Sequence, residues 1–126
     1  MHKSQLAGFI IDCNTADLDD AAEFWSHALG YPRNRDKGPD EENYELLDTG
    51  ENNLHIELQQ VEHESRVHLD IETDDIEAEV ARLEKLGAKR IQKVRTWWVM
   101  EAPAGHRFCV VRPQRSSFSD EARQWD

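Results

Sequence analysis

Cysteine is scarce here, basic residues are outnumbered, and no long apolar run occurs. The 126 residues include only two cysteines, Cys13 and Cys109, too few for a disulfide framework and without metal-knuckle spacing. Cytoplasm is therefore the expected compartment. Lysine and arginine number 15 against 26 aspartates and glutamates, giving a net charge of −11. That charge repels phosphate backbones and anionic membranes and argues against nucleic acid as a partner. It attracts a cationic ligand, although acidity also serves simply to keep a protein soluble. No apolar stretch approaches the ~18 residues of a membrane span, so no membrane partner is expected. The apolar run after Gln5 ends at Asp12, too soon for a signal peptide. Hydrophobic residues are only 38% and charged residues 33%, a balance that would suggest disorder if the apolar positions were not periodic.

What is present is an internal repeat. Residues 11–19 match residues 69–77 at a displacement of 58: Asp12 with Asp70, Thr15 with Thr73, Asp17 with Asp75, Leu18 with Ile76. Leu29-Gly30 matches Leu86-Gly87 at 57, so one residue is gained or lost between. Each copy reads as strand, acidic turn, helix and glycine stop. Phe9, Ile11 and Cys13 alternate with Ile10 and Asp12, and Val67, Leu69 and Ile71 alternate with His68 and Asp70, the period of a half-buried strand. Leu18, Ala21, Ala22, Trp25, Ala28 and Leu29 form one helical stripe. Ile76, Val80, Leu83 and Leu86 form another. Asp17 with Asp20, and Asp74 with Glu77, have the N-cap and N3 pattern. Gly30 and Gly87 stand at the stops.

Three short strands are expected after each helix: near 31–35, 43–47 and 53–60, then near 88–94, 96–101 and 107–112. Turns are expected at Lys37-Gly38-Pro39-Asp40, at Gly50 and at Pro103-Ala104-Gly105. The fold class is thus α+β, two tandem βαβββ modules (5–62 and 63–113) forming curved mixed sheets around a cleft in one domain, 1–113. Residues 114–126 are a polar tail that frays or docks on a partner surface.

One helix covers one face of each sheet, so the other face meets water or the cleft. Strand parity puts Ile10, Asp12, His55, Glu57, His68, Asp70, Arg107 and Cys109 on that open face, with Trp98, Met100 and Tyr44 beside them. His68, near Glu57, is the expected acid or base, because histidine titrates near neutrality and a carboxylate fixes its tautomer. His55, Asp70, Trp98, Met100, Arg107 and Cys109 are the expected ligand-binding set.

The order βαβββ twice over, with Glu23-Phe24-Trp25, Leu29-Gly30-Tyr31, Val67-His68-Leu69-Asp70 and a closing Ala102-Pro103-Ala104-Gly105-His106-Arg107-Phe108-Cys109-Val110-Val111, resembles the vicinal oxygen chelate (glyoxalase/bleomycin resistance/dioxygenase) superfamily. The ending is most similar to its glyoxalase-like domain branch, and the resemblance spans about residues 6–113. It implies that metal-using relatives take ligands from the first, fourth, fifth and eighth strands. The fourth-strand glutamate falls on Glu57 and the fifth-strand histidine on His68. The first-strand histidine falls on Ile10, or on Gly8 across a gap, and the eighth-strand glutamate falls on Cys109. Glu57 and His68 alone are an incomplete set, so no cofactor is the first expectation. A divalent metal (Zn, Ni or Mn) completed by Cys109 or His55 is the second. The resemblance accordingly implies a homodimer binding a small organic molecule, cationic or aromatic, in the cleft. The alternative is a metal-dependent lyase or isomerase using Glu57 and His68, so whether the protein is an enzyme stays open. A third reading is an interaction domain whose sheet faces serve dimerisation alone.

Overall fold

The computed structural model describes residues 1–34, 42–51 and 53–126. The chain runs β1 (His2–Cys13), α1 (Leu18–Leu29), β2 (Arg33–Asn34), β3 (Tyr44–Leu47), β4 (His55–Gln60), β5 (Arg66–Thr73), α2 (Ile76–Lys85), β6 (Lys89–Val94), β7 (Trp97–Glu101), β8 (Arg107–Val111), α3 (Phe118–Glu121) and β9 (Arg123–Trp125). The strand–helix–three-strand order occurs twice, as the repeat predicts, and the α+β class holds. The expected turn at 37–40 lies outside the described residues, as does Arg35 at the end of the expected 31–35 strand.

The chain forms two compact units, one of Phe9–Val67 and one of Met1–Gly8 with His68–Asp126. In the Phe9–Val67 unit the strand order is β2-β3-β4-β1, with β2–β3 and β3–β4 antiparallel and Leu47 opposite Ile56. Helix α1 starts where Asp17 accepts a hydrogen bond from the Asp20 amide at 3.0 Å, satisfying an orphan donor of the first turn. It stops at Gly30, whose φ of 78° is costly for any residue with a Cβ. Leu18 and Ala22 press onto Cys13, Leu47 and Leu58, with Trp25, Tyr31 and Ile56 around them. Each fully buried leucine there contributes about 2 kcal/mol of transfer free energy.

In the other unit the order is β1-β5-β8-β7-β6, with β9 on β1. The sheet is mixed: β5 and β8 are parallel, while β8–β7 and β7–β6 are antiparallel. The N-cap of α2 is Asp75, which accepts from the Ala78 amide at 3.1 Å, and not Asp74 as the motif spacing suggests. Asp74 is already taken, since its carboxylate accepts the Lys3 amide of β1 at 2.8 Å. Val80 and Leu83 of α2 pack on Met100, Phe108 and Val110, flanked by Ile71, Ile76 and Trp98.

Two expectations are corrected in this unit. Trp98 and Met100 belong to the core beneath α2, not to the open face. Trp97-Trp98-Val99-Met100 is apolar throughout, so alternation could not tell its two faces apart. The tail neither frays nor waits for a partner. Its β9 pairs antiparallel with β1, His2 opposite Trp125, and Ser117 and Phe118 are buried. Trp125 Nε1 donates to Ser4 Oγ at 2.8 Å, and the Arg82 guanidinium lies 3.8 Å over its ring. The same Arg82 grips the buried Glu79 through two 2.8 Å hydrogen bonds, and His2 Nε2 meets that carboxylate at 2.8 Å.

Candidate functional site

Alternation on β5 and β8 decides which side chains reach the open face. Ile71, Phe108 and Val110 point under α2, so His68, Asp70 and Cys109 point the other way. The parallel register sets Asp70 beside Cys109. His68 Nε2 lies 3.5 Å from Asp70 Oδ1 and 3.7 Å from Cys109 Sγ. All three donor atoms fall within 4.8 Å of one another. The side chains of His68 and Asp70 are 12% and 15% exposed, and Cys109 is half-buried. Asp70 Oδ1 is buried with no hydrogen-bond partner among the described residues, a costly position for a carboxylate oxygen. The cluster therefore combines an imidazole, a thiol and an under-satisfied carboxylate, a set suited to moving a proton or to gripping a cation.

In the Phe9–Val67 unit, Ile56 and Leu58 of β4 pack beneath α1, so His55 and Glu57 take the opposite face. His55 Nε2 is 3.5 Å from Glu57 Oε2, and each side chain is about a quarter exposed. Farther along the same face Tyr44 Oη accepts from Gln59 Nε2 at 3.1 Å. Asp12 is buried, with Arg66 Nε 3.9 Å away.

Of the residues expected to meet a ligand, the structure gathers His68, Asp70 and Cys109 in one cluster, and His55 with Glu57 in a pair belonging to the other unit. Arg107 Nε is held by Glu101 at 3.2 Å, on the same unit as the cluster. The expected carboxylate beside His68 is Glu57; within the unit that holds His68 the structure sets Asp70 near it, 3.5 Å from Nε2. The signal was available, because residues two apart on a strand share a face.

The ligand pattern that resemblance implies for metal-using relatives does not fit these residues. Ile10 is buried and apolar and offers no donor atom where a histidine is expected. Cys109 stands where a carboxylate is expected. Cys13 is no substitute, since burial and then the charge of Asp12 push its thiol above its ordinary value, leaving it protonated and inert.

Buried charges elsewhere are structural. Arg33 is clamped by Glu23 at 2.8 Å, Asp19 at 2.7 Å and Glu45 at 3.1 Å. Burial draws its guanidinium down, but the three carboxylates outweigh that and raise it.

A family model described as glyoxalase-like domain matches residues 8–111. The structure is similar to methylmalonyl-CoA epimerase from Mycobacterium tuberculosis, with a TM-score of 0.63 and 20% identity, over 86% of this chain and 87% of that one. It is similar to a hypothetical protein from Bacillus halodurans C-125, with a TM-score of 0.64 and 15% identity, over 90% and 97%. A glyoxalase/bleomycin resistance protein/dioxygenase superfamily member from Vibrio splendidus 12B01 gives a TM-score of 0.51 and 18% identity, over 85% and 98%. No curated protein matches. At these identities the structural likeness speaks for the fold. Among the described residues no helix is long and apolar enough to cross a membrane.

Proposed function

Since the chain belongs to the glyoxalase-like domain family, we propose that it binds a small organic molecule on the polar face of its sheets, with His68 as the central contact. The observation that carries this reading is the His68–Asp70–Cys109 cluster, with a buried carboxylate oxygen that no described residue satisfies. A ligand donor arriving beside His68 would pair with that carboxylate and with the imidazole. His55 and Glu57 offer a second polar pair of the same kind on their own unit.

The charge of −11 favours a cationic or aromatic-cationic ligand through steering, an effect that salt weakens. Solved relatives bearing the name methylmalonyl-CoA epimerase make an acyl-CoA the competing probe. Thermal-shift titration should give stabilisation by one of these two classes, and H68A should abolish it while leaving the unliganded melting temperature within a few degrees. If neither class shifts the protein, the reading fails. The protein is further read as a cytoplasmic homodimer, the first from its two free cysteines and the second from its family. Light scattering on a sizing column tests the dimer, and a monomer at all concentrations would remove it.

A further inference from the structure

We propose that His68, Asp70 and Cys109 form a three-ligand site for a borderline-soft divalent cation of the zinc class, a donor set different from the one the family pattern implies. The inference rests on the ligand-binding reading above and adds what the ligand meets. All three donors come from one unit, so the site needs neither Glu57 nor a donor at Ile10.

The geometry carries it. Zinc binds nitrogen and carboxylate oxygen near 2.1 Å and thiolate sulfur near 2.3 Å, so tetrahedral angles separate nitrogen from sulfur by about 3.6 Å and nitrogen from oxygen by about 3.4 Å. From His68 Nε2, Cys109 Sγ lies at 3.7 Å and Asp70 Oδ1 at 3.5 Å. The third side, sulfur to oxygen, is within 4.8 Å and closes by a rotamer adjustment of one short side chain.

Chemistry points the same way. Asp70 Oδ1 is the buried oxygen without a hydrogen-bond partner, and a cation satisfies it directly. One carboxylate and one thiolate neutralise a divalent charge, so the loaded site adds no net charge to a half-buried place. As the sulfur–metal bond forms, the Cys109 S–H proton passes to solvent, one per ion. A thiolate selects zinc-like ions over manganese or magnesium. Three protein ligands leave the fourth position for an oxygen or nitrogen of the organic ligand.

The full chain, stripped by chelator and dialysed, is titrated with Co(II) under anaerobic conditions. One equivalent should produce a thiolate-to-cobalt charge-transfer band and the intense visible bands of tetrahedral cobalt, both discharged by Zn(II). C109S should lose the charge-transfer band, D70N and H68A should weaken binding at least tenfold, and C13A should keep the full spectrum. X-ray absorption on the zinc-loaded unaltered protein should count one sulfur ligand, independently of how any variant folds. No cobalt spectrum, a spectrum that survives C109S, or zinc without sulfur overturns the site. The thermal-shift test uses organic probes on metal-free and zinc-loaded protein. Binding that is equal in both leaves the ligand reading intact and removes the ion from it.

Discussion

Arg115 gives Glu72 both its backbone amide, at 2.9 Å, and its Nε, at 3.2 Å. The Gln114 amide and Gln5 Nε2 add bonds of 2.6 Å each. Glu72 is wholly buried at the end of β5, so this one carboxylate turns the chain after β8 back across the sheet. E72A removes the acceptor of a nearly buried guanidinium, two backbone amides and the Gln5 side-chain amide and should cost about 3 kcal/mol. Urea denaturation measures it. A loss below 1 kcal/mol would mean that the tail is held chiefly by Trp125 and Phe118.

Arg33 makes a second test of buried charge. Its side chain is 5% exposed and faces Glu45, at 7%. R33A removes the buried cation that Glu45, Glu23 and Asp19 face and should destabilise by about 3 kcal/mol. R33M, which keeps the volume, should cost less than R33A. The E45Q background should recover part of the loss, and a double-mutant cycle gives the coupling.

The two cysteines should react very differently. Burial and the neighbouring Asp12 hold the Cys13 thiol protonated, whereas Cys109 is half-buried at the open face. Iodoacetamide, applied with chelator present, should label Cys109 first and Cys13 only under unfolding conditions. Peptide mass spectrometry reads the order, and equal rates would place both thiols in comparable surroundings.

Acid stability should report Glu79. Burial raises its carboxyl, but hydrogen bonds from Arg82, His2 and Ser4 outweigh that and hold it below the ordinary 4.5. A depressed folded value contributes stability that is complete above about 4.5 and disappears as pH falls through the folded value. The unfolding free energy of the native chain should therefore decline below the ordinary value. E79Q, less stable at neutral pH, should decline less steeply over the same range. Identical acid slopes in the two proteins would contradict the pairing with His2 and Arg82.

The repeat made most of the fold legible. A displacement of 58 carried a strand, a capped helix and a glycine stop from one half to the other, and α1 and α2 stand where it put them. Strand parity put His55, Glu57, His68, Asp70 and Cys109 opposite the apolar positions of their strands, but on β5 it misjudged burial: Val67 and Leu69 are 59% and 44% exposed, more than His68 and Asp70 at 12% and 15%. It failed at Trp98 and Met100, where four consecutive apolar residues carry no alternation. The repeat pointed to the Asp75 cap by aligning it with Asp17; the Asp74–Glu77 spacing pointed to the wrong residue, because Asp74 answers to Lys3, a contact 71 residues distant in sequence. The tail was hidden because its contacts are as distant. Nothing local in Arg123-Gln124-Trp125 marks a strand, and its pairing comes from β1, at the other end of the chain.

That pairing also sets an order in time. Synthesis delivers His2–Ser4 well before its partner Arg123–Trp125, with 121 residues separating Ser4 from Trp125. Until the partner follows, this stretch of β1 keeps a bare edge, and a bare edge invites the strand of another chain. A truncation ending before residue 123 would make that exposure permanent. The short closing strand is therefore a seal that a nascent or shortened chain cannot apply to itself.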